Sequence, residues 1–139
     1  MKQIIALLLL LLAFSSCTKD ETGRIPEVFV DFRAFRNDYR LDRLFSEGGV
    51  VVISGHGVAG IIICRTPDGY KAYDQCSSVN PEQKCAVIPD DVGLTATDPC
   101  SGAKFSLYDG APVKAPAKRP LKEYRVAVTP YEITVTNNY

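Results

Sequence analysis

The sequence predicts an all-β domain, a small antiparallel sandwich or barrel, on three observations. Apolar residues either alternate with polar ones, as in EVFVDFRAF, or form short β-branched blocks, as in VVVIS. Turn signals such as GHGVAG, TPDG and PDDVG separate these segments at short intervals. No stretch holds a helical period long enough to stand as a helix. At 139 residues the chain has room for one domain and not two.

In EVFVDFRAF, Val28, Val30 and Phe32 fall on one face, the pattern of a half-buried strand. NDYRLDRLFSEGG is polar and irregular and is expected to hold one short helical turn. VVVIS is a continuous run that ends in GHGVAG, and IIICR follows it. TPDG has Pro second and Gly fourth, which suits a type I turn, so YKAYD returns as the partner strand of a hairpin. The loop QCSSVNPEQK leads to the strand CAVI, the turn PDDVG and the strand LTAT. After the loop DPCSGAK come the strand FSLYD, the Pro-rich crossover GAPVKAPAKRP and the strands LKEYRVAV and YEITVTN. Tyr70, Tyr73, Tyr108 and Tyr124 are expected to pack on the sheet or at its rim.

The N-terminus reads as an export signal. MKQIIALLLLLLAFSSC has one cation, Lys2, then an apolar run from Ile4 to Phe14 that is too short to span a bilayer. Small residues at Ser15 and Ser16 directly before Cys17 resemble a bacterial lipobox, with Phe14 in the place usually held by Leu. That resemblance implies a lipoprotein signal over residues 1–16 and acylation at Cys17, which would hold the mature chain on a membrane. Lys19-Asp20-Glu21 resembles the surface-export signal of Bacteroidetes lipoproteins, a Lys followed by two acids. The expected order is a signal over 1–16, a lipidated tether over 17–27 and a β domain over 28–139, at the outer membrane or cell surface. Such a compartment tolerates disulfides.

Formal net charge is zero, with 16 Lys and Arg against 16 Asp and Glu scattered along the chain. A nucleic-acid binder needs a basic face, so that class is excluded. Lys114, Lys118, Arg119 and Lys122 form a modest basic stripe on the crossover, read as a solvated face with an anionic ligand as the alternative. Ser77, Ser78 and Ser101 lie near loop tips, yet the lone histidine is far away in sequence and no G-x-S-x-G is present, so no nucleophile is assigned. Asp90, Asp91 and Asp98 could suggest a calcium loop, but PDDVG is short and reads better as a hairpin turn. No catalytic constellation emerges, and no enzyme activity is expected.

The order of features from Gly48 to Val135 resembles the Rieske ferredoxin fold. GYKAYDQC, DPCSGAKF and APAKRPLKEYRV stand where that family has its first ligand loop, its second ligand loop and its Pro-rich tail. Phe105, Gly110, Pro116, Ala117, Pro120, Leu121 and Tyr124 all fall in the family's register. With GGVVVISGHGVAGIIICR joined to this core, the chain looks like the Rieske-like lipoproteins of Bacteroidetes.

A Rieske centre takes two thiolates on one iron and two imidazoles on the other. On the resemblance, Cys76 stands at the first loop's cysteine position and Ser78 at its histidine position. In the second loop Asp98 takes the cysteine position and Ser101 the histidine position. Cys100 falls on the residue that some members use for a disulfide between the loops. The chain has one histidine, His56, read as an exposed residue of the GHGVAG turn. One histidine cannot supply two imidazoles, so the family's standard [2Fe–2S] cluster is not expected.

Four cysteines remain after Cys17, and three readings stay open. The first is disulfides, with Cys85 and Cys100 as the best candidates to tie the loop tips, Cys76 pairing with either as an alternative, and Cys64 as a buried thiol. The second is zinc or an unusual iron–sulfur cluster on Cys76, Cys85 and Cys100 with Asp98 or Cys64, although no two cysteines have C-x-x-C spacing. The third is a redox-active thiol pair. The resulting expectation is an envelope lipoprotein whose domain has lost its cluster ligands and acts as a binding or structural module. Its partners would be the membrane, through the lipid, and an envelope protein or ligand. The alternative is an electron-transfer protein with non-standard ligation, or a thiolate zinc site.

Overall fold

Residues Ile61–Thr66 form a strand that is buried on both faces, which accounts for its unbroken apolar run. Ile61 and Ile63 face one core, with Val30, Phe32, Leu41, Leu44, Val51 and Tyr124. Ile62 and Cys64 face another, with Tyr73, Val87, Phe105, Leu107 and Leu121. The computed structural model that shows this describes residues 22–138. The expected signal over residues 1–16, Cys17 and Lys19-Asp20-Glu21 lie outside the described residues.

The strands are β1 (Asp31–Phe35), β2 (Val50–Ile53), β3 (Ile61–Thr66), β4 (Gly69–Asp74) and β5 (Ile88–Pro89). They continue with β6 (Thr95–Thr97), β7 (Lys104–Ser106), β8 (Pro112–Lys114), β9 (Glu123–Val128) and β10 (Glu132–Thr136). A six-stranded sheet has the order β1-β10-β9-β4-β3-β2, and a four-stranded sheet the order β5-β6-β7-β8. Every named pairing is antiparallel. The second core lies between the two sheets. The first lies on the other face of the large sheet, beneath a 3₁₀ segment, Tyr39–Phe45.

That 3₁₀ segment is the expected helical turn. Asp38 caps it by accepting from the Arg40 N–H at 3.0 Å. Leu41 and Leu44, three apart and so on one side of a 3₁₀ turn, are both fully buried. The alternation of EVFVDFRAF holds from Val30 through Ala34, but the ladder with β10 starts at Asp31. Upstream of it the Asn137 side chain substitutes for a strand, accepting from the Val30 N–H at 2.7 Å and donating to the Val28 carbonyl at 2.8 Å.

Three expectations are corrected. CAVI joins the small sheet only at Ile88: the chain turns through Lys84, at φ +50°, and Ala86 makes a single bridge back to Cys76 in the same loop. The Pro-rich crossover contains β8, an edge strand, where Pro112 lacks no needed hydrogen bond on its open side. His56 is half-buried rather than exposed, with its ring edge-on to Phe32 at 5.3 Å between centroids.

Candidate functional site

Two loops leave the same end of the strands. The first, residues 75–87, follows β4, and the second, residues 98–103, joins β6 to β7. Asp74, the last residue of β4, is fully buried and sets the root of the first loop. Its carboxylate accepts from the Tyr124 hydroxyl at 2.6 Å, the Cys76 N–H at 2.8 Å and the Val58 N–H at 2.6 Å. The turn that contains Val58 comes this close because Gly57, at φ +69°, has no Cβ; one there would stand 2.6 Å from the Asp74 carboxylate.

At the tips, Cys85 and Cys100 are joined by a disulfide, with their Cα atoms 6.4 Å apart. Beside it lies a second tie. Asp98, 1% exposed, accepts from the Ser77 hydroxyl and the Ser101 hydroxyl, both at 2.6 Å. Its other oxygen accepts from the N–H groups of Cys100 at 2.8 Å and Ser101 at 3.4 Å. Burial alone would raise the Asp98 carboxyl, but the bonds from Ser101, Ser77 and the two N–H groups outweigh it and hold the group below its ordinary value. The site therefore carries a buried, ionised carboxylate neutralised by dipoles rather than by a cation.

The four positions that the family resemblance picks out are not brought together as a set. Asp98 and Ser101 meet, but Ser78 turns away and donates to the Arg119 carbonyl at 2.7 Å. Ser77, its neighbour, takes the place facing Asp98. Cys76 is fully buried, its Sγ 3.6 Å from the carbonyl oxygens of Ser77 and Pro81, and burial pushes its thiol up to about 11. Cys64 Sγ lies 3.2 Å from the Leu107 carbonyl between the sheets, and burial pushes that thiol up to about 12. Neither resembles a thiolate activated for redox chemistry.

This donor set does not fit a Rieske cluster. The only histidine sits by Phe32, and two sulfurs are bonded to each other. The alternative metal set of Cys76, Cys85, Cys100 and Asp98 is brought together only in part. A ligand atom from each of Cys85, Asp98 and Cys100 lies within 4.8 Å of the others, but Cys76 is not in that group and both other sulfurs are in the disulfide. The calcium candidates also separate. Asp90 accepts from Thr95 Oγ1 at 2.6 Å, Thr97 Oγ1 at 2.8 Å and Lys104 Nζ at 2.9 Å, as the anchor of the β5–β6 turn. Of the tyrosines, Tyr73 and Tyr124 are buried, Tyr70 is partly buried and Tyr108 is half exposed.

The two-sheet architecture and the paired loops define an all-β domain resembling the Rieske [2Fe–2S] domain. No family model and no curated protein matches the chain. Among solved structures it is similar to the ferredoxin of carbazole 1,9a-dioxygenase from Nocardioides aromaticivorans IC177, at 22% identity over 81% of this chain and 100% of that one, with a TM-score of 0.52. A chain of the complex of reduced oxygenase and oxidized ferredoxin in carbazole 1,9a-dioxygenase is 22% identical over 66% of this chain and 91% of its own, with a TM-score of 0.48. At these identities the likeness is one of fold.

Proposed function

We propose that this chain is an envelope lipoprotein, acylated at Cys17, whose Rieske-like domain works as a binding or structural module without a cluster. The observation that carries the reading is the Ser77–Asp98–Ser101 network beside the Cys85–Cys100 disulfide. One hydrogen bond, from Ser77 to Asp98, and one covalent bond join the loops where a cluster of the family would be held, and three more hydrogen bonds fix Asp98 within its own loop. Every donor around Asp98 is already used within the protein, which supports a rigid tip rather than a site waiting for iron. The sequence signals for acylation and export support an outer-membrane or cell-surface location.

A second reading has one observation in its favour. On reduction, Cys85 and Cys100 would become two thiols beside the Asp98 carboxylate, all within 4.8 Å, a donor set suited to zinc. A single set of measurements separates the two. The mature protein is purified anaerobically, with and without a dithiol reductant, and its visible spectrum, iron, zinc and free thiols are determined. The module reading expects a colourless protein whose additional thiols appear only on reduction, with no stoichiometric metal in either sample. Visible absorbance with stoichiometric iron would establish an electron carrier, and stoichiometric zinc in the reduced sample alone would establish the thiolate site. Mass spectrometry of the N-terminal peptide tests acylation of Cys17.

A further inference from the structure

The described chain begins at the loop-tip end of the domain. Gly23, at φ +78°, lies against the first loop so closely that a Cβ would stand 2.6 Å from the Ser78 carbonyl and 3.4 Å from the Arg119 side chain. Ile25 is buried, and Lys122 holds the next residues by donating to the Pro26 carbonyl at 3.1 Å and to Glu27 at 2.7 Å. Residues 22–27, expected as tether, therefore pack on the domain. A tether running from Cys17 therefore ends at Thr22.

Cys17 is five peptide steps from Thr22 (22 − 17 = 5). Five steps reach at most about 18 Å when fully extended. An acyl chain on Cys17 would thus keep the tips close to the headgroups, while the β3–β4 turn at Asp68 lies at the far end of β4, roughly 17 Å further along the strand.

The same end is basic. Lys84 lies in the first loop next to Cys85, and Lys118 flanks the first loop with Pro116 and Val79. Lys114, paired in register with Lys104, borders the second loop. All three are exposed, and among the described residues none has an ion-pair partner. Against these stand the exposed Glu82, the exposed Glu27 paired with Lys122, and the buried, hydrogen-bonded Asp98, and in the tether sequence Asp20 and Glu21 outnumber Lys19 by one.

We infer that this end is a docking face for an anionic lipid surface, so that the domain sits tip-down on the membrane that anchors it. The inference rests on acylation at Cys17. A single exposed Lys attracts an anionic surface weakly and only within a Debye length of roughly 8 Å. The short tether removes the cost of finding the surface, because it turns docking into an intramolecular event at high effective concentration.

The test uses the mature acylated chain in vesicles of phosphatidylcholine, with or without phosphatidylglycerol, bearing a headgroup-level quencher. A dye is attached at Asn80→Cys, in the first loop, or at Asp68→Cys, at the far end; native Cys64 and Cys76 are buried. In anionic vesicles the dye at position 80 is expected to be quenched several-fold more than the dye at position 68. The difference is expected to shrink in high salt and in Lys84→Glu/Lys114→Glu/Lys118→Glu. Equal quenching at both positions in acylated protein overturns the docking while leaving the anchor intact, and would assign the tip to a protein partner. An N-terminal peptide without acyl groups overturns the anchor and this orientation together. Asn80→Cys keeps the native charge, Asp68→Cys removes only one acid at the far end, and both leave the three lysines in place, so misfolding of the triple variant would not remove the test.

Discussion

Ser77 Oγ and Asp98 Oδ2 lie 2.6 Å apart and join two loops separated by 21 positions in sequence. The bond is one of four to a carboxylate that water does not reach, so the energetic consequence of losing it depends on which partner is removed. Ser77→Ala removes one donor and is expected to lower stability by about 1–2 kcal/mol. Asp98→Ala strands two hydroxyls and two N–H groups and is expected to lower it by about 3 kcal/mol or more. Denaturant unfolding of the two variants measures the order.

The same carboxylate sets an acid limit. Its folded pKa lies below the ordinary Asp value near about 3.9, so its contribution is fully present above that value and is lost as pH falls through the folded pKa. Stability measured from neutral pH downward is expected to begin falling below about pH 5. Asp98→Asn is expected to remove that part of the slope.

The disulfide spans a sequence separation of 15. Reduction, or Cys85→Ser with Cys100→Ser, is expected to destabilise the domain by about 3 kcal/mol, mostly by releasing the unfolded chain. The corresponding fall in Tm is roughly 10 °C or more, while the far-UV dichroism of the native strands persists below it.

Cys64 and Cys76 are expected to resist a disulfide reagent at neutral pH in the folded protein and to react at once in denaturant. Their folded pKa values, about 12 and about 11, lie above the unfolded thiol value near about 8.5. The stability they contribute is therefore complete below that value and is lost as pH rises toward the folded ones, which denaturation at increasing alkaline pH would read out.

Two buried tyrosines should respond with opposite sign. Tyr124 donates to Asp74 at 2.6 Å, so Tyr124→Phe is expected to lower stability by about 1–2 kcal/mol. Tyr73 Oη is buried with no hydrogen-bond partner among the described residues, so Tyr73→Phe relieves a desolvated hydroxyl and is expected to raise stability by about 1 kcal/mol. Thermal melts of the two variants side by side settle the contrast.

The strands with strong patterns were legible because burial itself writes the pattern. IIICR reads as continuous since both its faces are covered, and the alternation through Val30, Phe32 and Ala34 reads as half-buried since one face is. β8 was not legible, because a proline in a Pro-rich stretch signals a connection unless its place at a sheet edge is known. The family's register points to Ser78, at its histidine position, whereas only the path of the loop decides that the hydroxyl of Ser77 is the one that meets Asp98.

By itself the sequence determined the all-β class and, through a single histidine, that one chain lacks the imidazoles of a standard Rieske centre. Composition and periodicity suffice for such conclusions, since they follow from counts and from which faces must be buried. The tertiary structure alone decided that Cys85 meets Cys100 while Cys76 is turned inward, and that the chain enters the domain beside its loop tips. Those outcomes depend on where separate loops bring their Cβ atoms and donors within a few ångströms of each other, and no local pattern encodes that distance.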